Sequence, residues 1–443
     1  MTPDWRQENR AILRLAIPTL LSTLTVPLVT LADTIMVGHL PGAWPLAAVA
    51  MGGVAYGFLI TVLSPFRGLS IGLTGRWFGE GEPHKGTDWT LWGLVIALVA
   101  GGLMALAGPW LARGALWLFH AEGPLRDAFT SYLTIRLWEM PLTVGQMFLL
   151  GHLRGHQRAW GPMAVTVAVA LTNVAFNALL IYGLNLGVAG AAWGSVAANA
   201  VGFALALTAW FHGVRPQLDA SRFWAHRSLL AALRHAFGWG VARSALLMGA
   251  LTLFTAAASH LGAPTVAAHA VLMELWLLSS YAIDGFAVGV EALVAKRLGE
   301  GDRPRLRLDA GIGLAWCLAM GLAFSGLYAL AGAPIVGLFT GEREVARLAL
   351  GTLLWVIWLQ PMVAVSYWAD GILNGAVDLK GAFWTLAAGA IACALVLPWS
   401  RHLGLGGVWL GLAAFSAARA AWALKVCWGY LRAPAIERGR AGV

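Results

Sequence analysis

The sequence is poor in charge. Charged residues make up 12% of its 443 residues, whereas a soluble domain carries about 25%. Apolar runs of roughly 20 residues, the length that crosses the hydrocarbon core of a bilayer, recur along nearly the whole chain and leave no room for a soluble domain. With a mean hydropathy of +0.71, the composition excludes a soluble protein and predicts a membrane protein throughout.

Cysteine and catalytic motifs are also scarce. Cys317, Cys393 and Cys427 lie in separate apolar runs without metal-ligand spacing, so we interpret them as apolar packing residues and expect neither a metal nor a cofactor. No glycine-rich loop with a Walker lysine is present, so ATP hydrolysis is not indicated. An intramembrane enzyme would need a Ser/His dyad or a metal-binding His pair at helical spacing; His260 and His269 do not fit, because residues 262–264 break the helix between them. We therefore expect no enzyme and no catalytic residue.

Twelve apolar runs can be placed, and they predict an all-α fold of twelve transmembrane helices. Each run is about twice as long as a barrel strand needs, and the hydrocarbon offers backbone groups no other hydrogen-bond partner, so helices are required. The runs are 13–38, 46–75, 89–110, 129–150, 161–182, 188–210, 237–260, 266–295, 311–330, 350–373, 381–398 and 406–428.

The basic residues indicate an orientation in the membrane. The net charge of +9 could suggest nucleic acid, but most basic residues fall in the segments that share a side with the N-terminus. Those on the opposite side are only Arg113, Arg126, Arg343, Arg347 and Arg401. We therefore expect a protein of the bacterial inner membrane, and by the positive-inside rule both of its termini should lie in the cytoplasm. No nucleic-acid partner is expected. Residues 1–10 are polar and lead into a full-length run, so no cleaved signal peptide is expected.

The halves of the chain repeat one another. A constant shift aligns them without a gap from about residue 46 to 163: Leu46-Ala-Ala-Val-Ala meets Val266-Ala-Ala-His-Ala, and Trp138 and Pro141 meet Trp358 and Pro361. A pair near residues 186 and 403 continues the repeat at a slightly smaller shift. Because each unit holds six runs, an even number, the repeat is parallel, which predicts a transporter with a cavity between two lobes.

The predicted domains follow from this repeat. An N-terminal six-helix lobe covers residues 1–212, a cytoplasmic linker 213–235, and a C-terminal six-helix lobe 236–443. Energy for transport is expected from an ion gradient.

Asp33 is the leading candidate for coupling. Ionisable residues at bilayer depth are costly and usually functional, and Asp33 lies deep in the first run with no acid in its repeat counterpart, residues 252–255. Burial disfavours the charged form of a carboxyl group, so Asp33 could take up a proton from outside and release it inside. The alternative is a carboxylate satisfied by a neighbouring Arg or by backbone donors.

Other polar residues accompany it. Asn173 and Asn177 lie at i and i+4 on one face of the fifth helix and could partner a carboxylate or serve as packing contacts between helices. Arg136 and Glu139 are expected to form a local ion pair rather than a relay. The remaining ionisable residues in the apolar runs are Arg67, Arg243, Glu274, Asp284, Glu291 and Asp370. Asp284, Glu291 and Asp370 could form a second polar cluster, structural or functional.

Two prolines precede Asp33 on the same helix. Pro18 and Pro27 each remove a backbone hydrogen bond and permit a kink, so proton binding could be coupled to bending of the first helix. Proline is frequent in membrane helices, which leaves an ordinary structural role open.

These residues resemble a known family. Asp33-Thr-Ile-Met-Val-Gly-His-Leu, Phe66-Arg-Gly-Leu-Ser-Ile-Gly-Leu-Thr and Gly151-His-Leu-Arg-Gly-His-Gln are similar to segments of the multidrug and toxic compound extrusion (MATE) family. Tyr281-Ala-Ile-Asp-Gly-Phe-Ala and Ala369-Asp-Gly-Ile-Leu-Asn-Gly resemble its DinF-type branch. The similarity spans essentially the whole chain.

The resemblance implies two lobes around a V-shaped cleft and export of amphipathic, often cationic, drugs or toxins in exchange for protons or sodium ions. It implies that Asp33 carries the coupling ion and that Asn173 and Asn177 surround it. Some relatives have a second acid at the position of Asn177, and sodium-coupled relatives have one on the seventh helix, where residues 243–260 hold none. Both departures favour protons. We expect a monomer; a sodium-coupled exporter and a flippase for lipids or lipid-linked precursors are the alternatives.

Overall fold

The computed structural model describes residues 4–42, 44–119, 122–219, 221 and 229–432. Within these residues the fold is helical, with no strand, and twelve helical segments follow one another. The first half contains α1 (Trp5–Gly38), α2 (Trp44–Leu63 and Pro65–Gly79), α3 (Pro83–Leu106 and Gly108–Phe119), α4 (Gly123–Arg136 and Met140–Gly155), α5 (Trp160–Gly183) and α6 (Gly187–Val214). The second half contains α7 (Leu229–Ser259), α8 (Ala263–Glu300), α9 (Arg303–Phe339), α10 (Arg343–Gly375), α11 (Leu379–Ser400) and α12 (Leu405–Arg432).

The helices confirm the predicted fold class. Each predicted run overlaps one of these segments, and most helices extend beyond their runs, by up to nine residues at one end. Among the described residues, eleven helices are long and apolar enough to cross a bilayer. The remaining segment, α4, is divided into helices of 14 and 16 residues by the 3₁₀ turn Leu137–Glu139. Pro141, which cannot donate a backbone hydrogen bond, follows this turn closely.

The structure repeats at the shift found in the sequence. α3 begins at Pro83 and α9 at Arg303, while α4 begins at Gly123 and α10 at Arg343, so both pairs keep the same separation along the chain. The backbone repeats as well. Left-handed residues pair as Gly42 with Gly262, Gly81 with Gly301, Gln157 with Val377 and Gly187 with Gly404. The first three pairs keep the main shift and the fourth has the smaller one, so the loops as well as the helices follow the repeat.

The helices group into two compact units. One comprises the described residues of 24–231, and the other those of 1–23 and 232–443. The part of α1 up to Thr23 thus groups with the second half of the chain, whereas the predicted N-terminal lobe begins at residue 1. Of the predicted linker 213–235, α6 contains residues 213 and 214 and α7 begins at Leu229, while residues 220 and 222–228 lie outside the described residues.

Packing within each unit uses large apolar side chains. In the first unit Leu149, Leu153, Val165 and Trp210 form a buried cluster between α4, α5 and α6. The three cysteines are buried and free, as expected of packing residues. Exposed tryptophans are frequent, and Trp117 and Trp399 expose more than four-fifths of their surface, which suits side chains that lie in lipid or at its interface.

Candidate functional site

Asp33 lies in a buried polar site of the first unit. Its side chain is 7% exposed, and its Oδ1 accepts a hydrogen bond of 2.6 Å from Nδ2 of Asn177. The same Nδ2 lies 3.2 Å from Oδ1 of Asn173, which confirms that the two asparagines share one face of α5. Among the described residues no Arg or Lys forms an ion pair with Asp33. The expected alternative of a carboxylate satisfied by a neighbouring Arg is therefore not what the structure shows.

A change of helix geometry follows Asn177. The α-helical part of α5 ends at Asn177, and residues Ala178–Gly183 form a π-helix, a widened turn that is common at functional sites. Tyr182 in this turn donates a hydrogen bond of 2.5 Å to the backbone carbonyl of Met36. α5 therefore contacts α1 twice within a short stretch, once at Asp33 and once at Met36. These two contacts position the carboxyl group of Asp33.

A second polar group lies beside the first. Arg136 and Glu139 form the expected ion pair, with Nε and Oε1 3.3 Å apart, and Arg136 also donates to the hydroxyl of Tyr132 at 2.5 Å. The guanidinium group lies 4.8 Å from the ring centre of Tyr56, in the range of a cation–π contact. Arg136 and Glu139 both act electrostatically on Asp33. The 3₁₀ turn of α4 places Glu139 in this group.

Two residues of α6 join these groups, and sequence reasoning missed both. Ser195 accepts a hydrogen bond of 3.2 Å from Nδ2 of Asn173. Asn199 donates to Oε2 of Glu139 at 3.2 Å and to the carbonyl of Ser195 at 3.1 Å. A continuous series of hydrogen bonds thus runs from Asp33 through α5 and α6 to Glu139. The i, i+4 spacing of Ser195 and Asn199, the same as that of Asn173 and Asn177, is a signal that could have identified them.

The side chains of this site can accommodate Asp33 with or without a proton. Asp33 contacts a neutral amide, and the nearby Arg136 is paired with Glu139. Within the described residues, the ionised form of Asp33 is therefore stabilised by a hydrogen bond and a nearby charge, but not by a directly paired cation. The Oδ1 atom of Asn177 is buried and has no hydrogen-bond partner among the described residues. Rotation of the amide would present this oxygen to a protonated Asp33, because a carboxylic acid donates where a carboxylate accepts. One asparagine can therefore serve both protonation states.

The candidates of the second unit form a different arrangement. Oδ2 of Asp370 accepts hydrogen bonds from Nη2 of Arg243 at 2.6 Å and from Nη2 of Arg419 at 2.5 Å. The ring of Tyr367 lies beside Arg419 and within electrostatic range of Asp284 and Asp370. Asp370 therefore belongs to a polar group with Arg243 and Arg419, and Arg419 is a member that sequence reasoning missed. Membership of Asp284 and of Glu291 in the same cluster stays a prediction.

The remaining candidates are placed as follows. Arg67 is half-buried on α2, Glu274 is exposed on α8, and Glu291 is buried on α8. Pro18 and Pro27 lie inside α1, which is described as one helix through both of them. The predicted kink at these prolines remains a prediction.

Comparisons with known proteins place the chain in a family. The sequence profile of the MatE family matches residues 18–179 and 241–399. The chain is 32% identical to the DNA damage-inducible protein F of Escherichia coli over 436 residues, covering 93% of this chain and 90% of that protein. It is 27% identical to the probable multidrug resistance protein NorM of Pseudomonas aeruginosa, with 92% and 86% covered. A crystal structure of the Vibrio cholerae MATE transporter VcmN in the bent form matches with a TM-score of 0.88 at 18% identity, covering 97% and 98% of the two chains.

Proposed function

The chain belongs to the MatE family, whose members are transporters and not enzymes, and from this premise we propose that it is a proton-coupled multidrug efflux antiporter. Its substrates are amphipathic, often cationic, drugs or toxins. The relatives named as multidrug resistance proteins support this substrate class. The distribution of basic residues supports a place in the bacterial inner membrane with both termini in the cytoplasm.

The observation that carries the proposal is the buried carboxyl group of Asp33, which an amide holds and which no cation among the described residues pairs with directly. An isolated carboxylate in a dry protein interior is costly, and protonation removes that cost. When water reaches the site, the ionised form becomes favourable again. Asp33 can therefore bind and release a proton as the hydration of its surroundings changes.

The transport cycle follows from these two states. Drug binds while Asp33 is ionised, because a negative charge attracts a cationic substrate. A proton that enters from outside neutralises Asp33, which removes this attraction, and Asn177 turns its amide oxygen toward the new O–H group. Drug is then released outside. Return to the inward-open state exposes Asp33 to the cytoplasm, where the proton leaves.

The proposal favours protons over sodium. Asn177, and not a second acid, lies against Asp33. The site therefore offers little negative charge for binding a sodium ion. Glu139, the other carboxylate of the site, is already paired with Arg136. On α7, residues 243–259 contain no carboxylate. A single exchangeable proton on Asp33 is the coupling chemistry that these residues support best.

The test is dye efflux in inverted membrane vesicles, with a pH gradient and a sodium gradient imposed separately. We expect the pH gradient alone to drive transport, and Asp33→Asn to abolish it because an amide cannot take up a proton at this position. Asp127→Asn is the matched control, because Asp127 is an exposed carboxylate of the same unit. Full transport by Asp33→Asn, or transport driven by sodium alone, would refute proton coupling at Asp33.

A further inference from the structure

A groove opens on the second unit, far along the chain from Asp33. It has a volume of about 810 Å³ and is lined by α9, α10 and α12. α9 begins and α12 ends at this groove, so it lies at one membrane face of the unit. By the distribution of basic residues, this face is the cytoplasmic one.

Two helix faces form its walls. On α9, Arg307, Gly311 and Leu314 follow one another at i, i+4 and i+7, and on α12 Leu424, Trp428 and Leu431 do the same. Residues at this spacing share one helix face. Trp428 is 58% exposed and Leu424 43% exposed, so the apolar wall is open to its surroundings. Arg307 and Leu314 are separated by two turns of helix, about 10 Å. If Arg307 lies at the membrane surface, Leu314 therefore lies well below it.

Three cations line the groove at two depths: Arg307 and Arg432 lie near the ends of their helices, and Lys425 lies about two turns deeper on α12, beside Leu424. No acidic residue among those the structure describes lines it. Arg307 donates through Nε to the backbone carbonyl of Leu431 at 2.7 Å, and the guanidinium of Arg432 lies 4.2 Å from the ring centre of Trp428. In the described part of the chain, no carboxylate forms an ion pair with any of the three. The ammonium group of Lys425 lies 5.0 Å from the ring centre of Trp422. A backbone carbonyl and aromatic rings do not neutralise these cations, so their charges are available to an anion.

We propose that this groove binds an anionic phospholipid of the cytoplasmic leaflet. The phosphate lies between Arg307 and Arg432, an acyl chain lies along Leu314, Leu424 and Trp428, and Lys425 adds positive charge deeper in the groove. Charge complementarity selects this occupant, because a bilayer supplies a molecule with a negative headgroup above an apolar chain, in the same order as the groove. Basic pockets between transmembrane helices on the cytoplasmic side have this recognition chemistry. The lipid is bound and not transported, so the proposal is independent of the proposed antiport.

The test is a lipid titration of the purified full-length protein, with bound lipids resolved by native mass spectrometry. Phosphatidylglycerol is compared with phosphatidylcholine of the same acyl chains. We expect phosphatidylglycerol to bind preferentially, and the triple variant R307Q/K425Q/R432Q to lose roughly a hundredfold in affinity, since each basic residue near a surface contributes about fivefold. The matched control is R10Q/R14Q/R215Q, which removes three exposed cations from the same predicted side and should keep the affinity.

A second variant tests the groove itself without changing its charge. A Cβ added at Gly311 would meet no atom within 4 Å, so Gly311→Leu should fold normally and extend into the groove. We expect this variant to lose phosphatidylglycerol binding, and its thermal unfolding midpoint shows whether it is folded.

Four results would overturn the proposal. These are unchanged lipid binding by the triple variant, equal loss in the control, unchanged binding by folded Gly311→Leu, and equal binding of phosphatidylcholine. If inorganic phosphate competes as well as the lipid, the groove is a phosphate site and not a lipid site. If lipid binds only after residues 433–443 are deleted, the occupant of the groove in the full-length protein is this C-terminal segment and not a lipid.

Discussion

Asn177 determines what Asp33 can do. Its amide donates to the carboxylate, but one hydrogen bond to a charged group contributes only about 1.5–3 kcal/mol, which is less than the several kcal/mol that burial of a charge costs. Arg136 also acts on Asp33, but its charge is shared with Glu139. We therefore expect the ionised form of Asp33 to need water or a cationic substrate as a further partner. A lysine or arginine at residue 177 would remove this need and fix the ionised state, whereas an amide leaves the proton exchangeable.

Gly194 keeps this amide in place. It lies on α6 against Asn177, and a Cβ at this position would collide with Oδ1 of the amide and lie 3.2 Å from the backbone nitrogen of Asn177. We expect Gly194→Ala to slow proton-driven efflux roughly tenfold, because overpacking costs about 1–3 kcal/mol and displaces the group that serves both states of Asp33. Initial rates of dye efflux in inverted vesicles measure the effect.

The control for this prediction is Gly114→Ala. Gly114 lies on α3 of the same unit, where an added Cβ meets no atom within 4 Å, so efflux should be unchanged. Parent-like efflux by Gly194→Ala, in protein present at parent levels, would contradict the role assigned to Asn177.

At this scale the sequence predicted the group of Asp33, Asn173 and Asn177 but not the residues of α6 that join it. Asp33, Asn173 and Asn177 could be identified because an acid and two amides are conspicuous in apolar helices. Ser195 and Asn199 lie among alanines and glycines of α6, where small polar residues are common packing contacts. Their hydrogen bonds to Asn173 and Glu139 depend on how α6 packs against α4 and α5, which spacing along one helix does not determine.

The two halves of the repeat differ at α4 and α10. α4 changes to a 3₁₀ turn at Leu137–Glu139, whereas α10 is unbroken, although Pro141 and Pro361 are equivalent. The difference lies in the charged pair: the positions equivalent to Arg136 and Glu139 are Val356 and Leu359. Glu139 bonds to Arg136 on its own segment and to Asn199 on α6. The proline alone therefore does not produce the break.

Asp370 joins three helices of the second unit. It accepts from Arg243 of α7 and Arg419 of α12, and it is mostly buried together with Arg419. We expect Asp370→Asn to lower the free energy of unfolding by about 3 kcal/mol, because removal of one member leaves buried cations uncompensated. Thermal unfolding of the purified protein, followed by intrinsic tryptophan fluorescence, measures the fall in midpoint.

Two further variants complete this test. Glu274→Gln changes an exposed carboxylate of the same unit and should leave the midpoint unchanged. The double variant Asp370→Asn, Arg419→Gln should lose less unfolding free energy than the two single variants lose together. In the double variant, neither a buried carboxylate nor a buried Arg419 is left without its partner. Strict additivity would mean that the two side chains do not stabilise one another.

The sequence identified Asp370 and Arg243 separately but did not pair them, and it did not single out Arg419. Both arginines are far from Asp370 along the chain, and neither has a characteristic spacing to it. Only the packing of α7 and α12 against α10 brings them together. Pairing across helices is therefore the part of the site that a single sequence left open.

For the whole molecule, the repeat was the most informative signal. The constant shift between the halves predicted which loops are equivalent, and the structure extends this to the backbone, since Gly81 and Gly301 are both left-handed, as are Gln157 and Val377. The sequence did not predict that the first part of α1 groups with the second half of the chain. Its first part bonds to the second half, with Thr23 donating to the carbonyl of Tyr281 and Glu8 paired with Arg297. Contacts between residues so distant in sequence leave no periodic pattern.

The even number of helices in each repeat and the positions of the basic residues lead to one topology. Segments after even-numbered helices should face the cytoplasm and segments after odd-numbered helices should face outward. Leu218, which follows α6, is 59% exposed. Gly341, between α9 and α10, is exposed, and an added side chain there meets no atom within 4 Å. We therefore expect these two positions to lie on opposite faces of the membrane.

We expect a membrane-impermeant maleimide to label Gly341→Cys in intact cells and Leu218→Cys only in inverted vesicles. The parent protein is the control, since Cys317, Cys393 and Cys427 are buried and should not react from either side. Reversed accessibility would place the basic face outside and remove the basis for assigning the groove of Arg307 to the cytoplasmic leaflet. Labelling of both variants from the same side would contradict the twelve-helix topology, because an odd number of crossings separates the two positions.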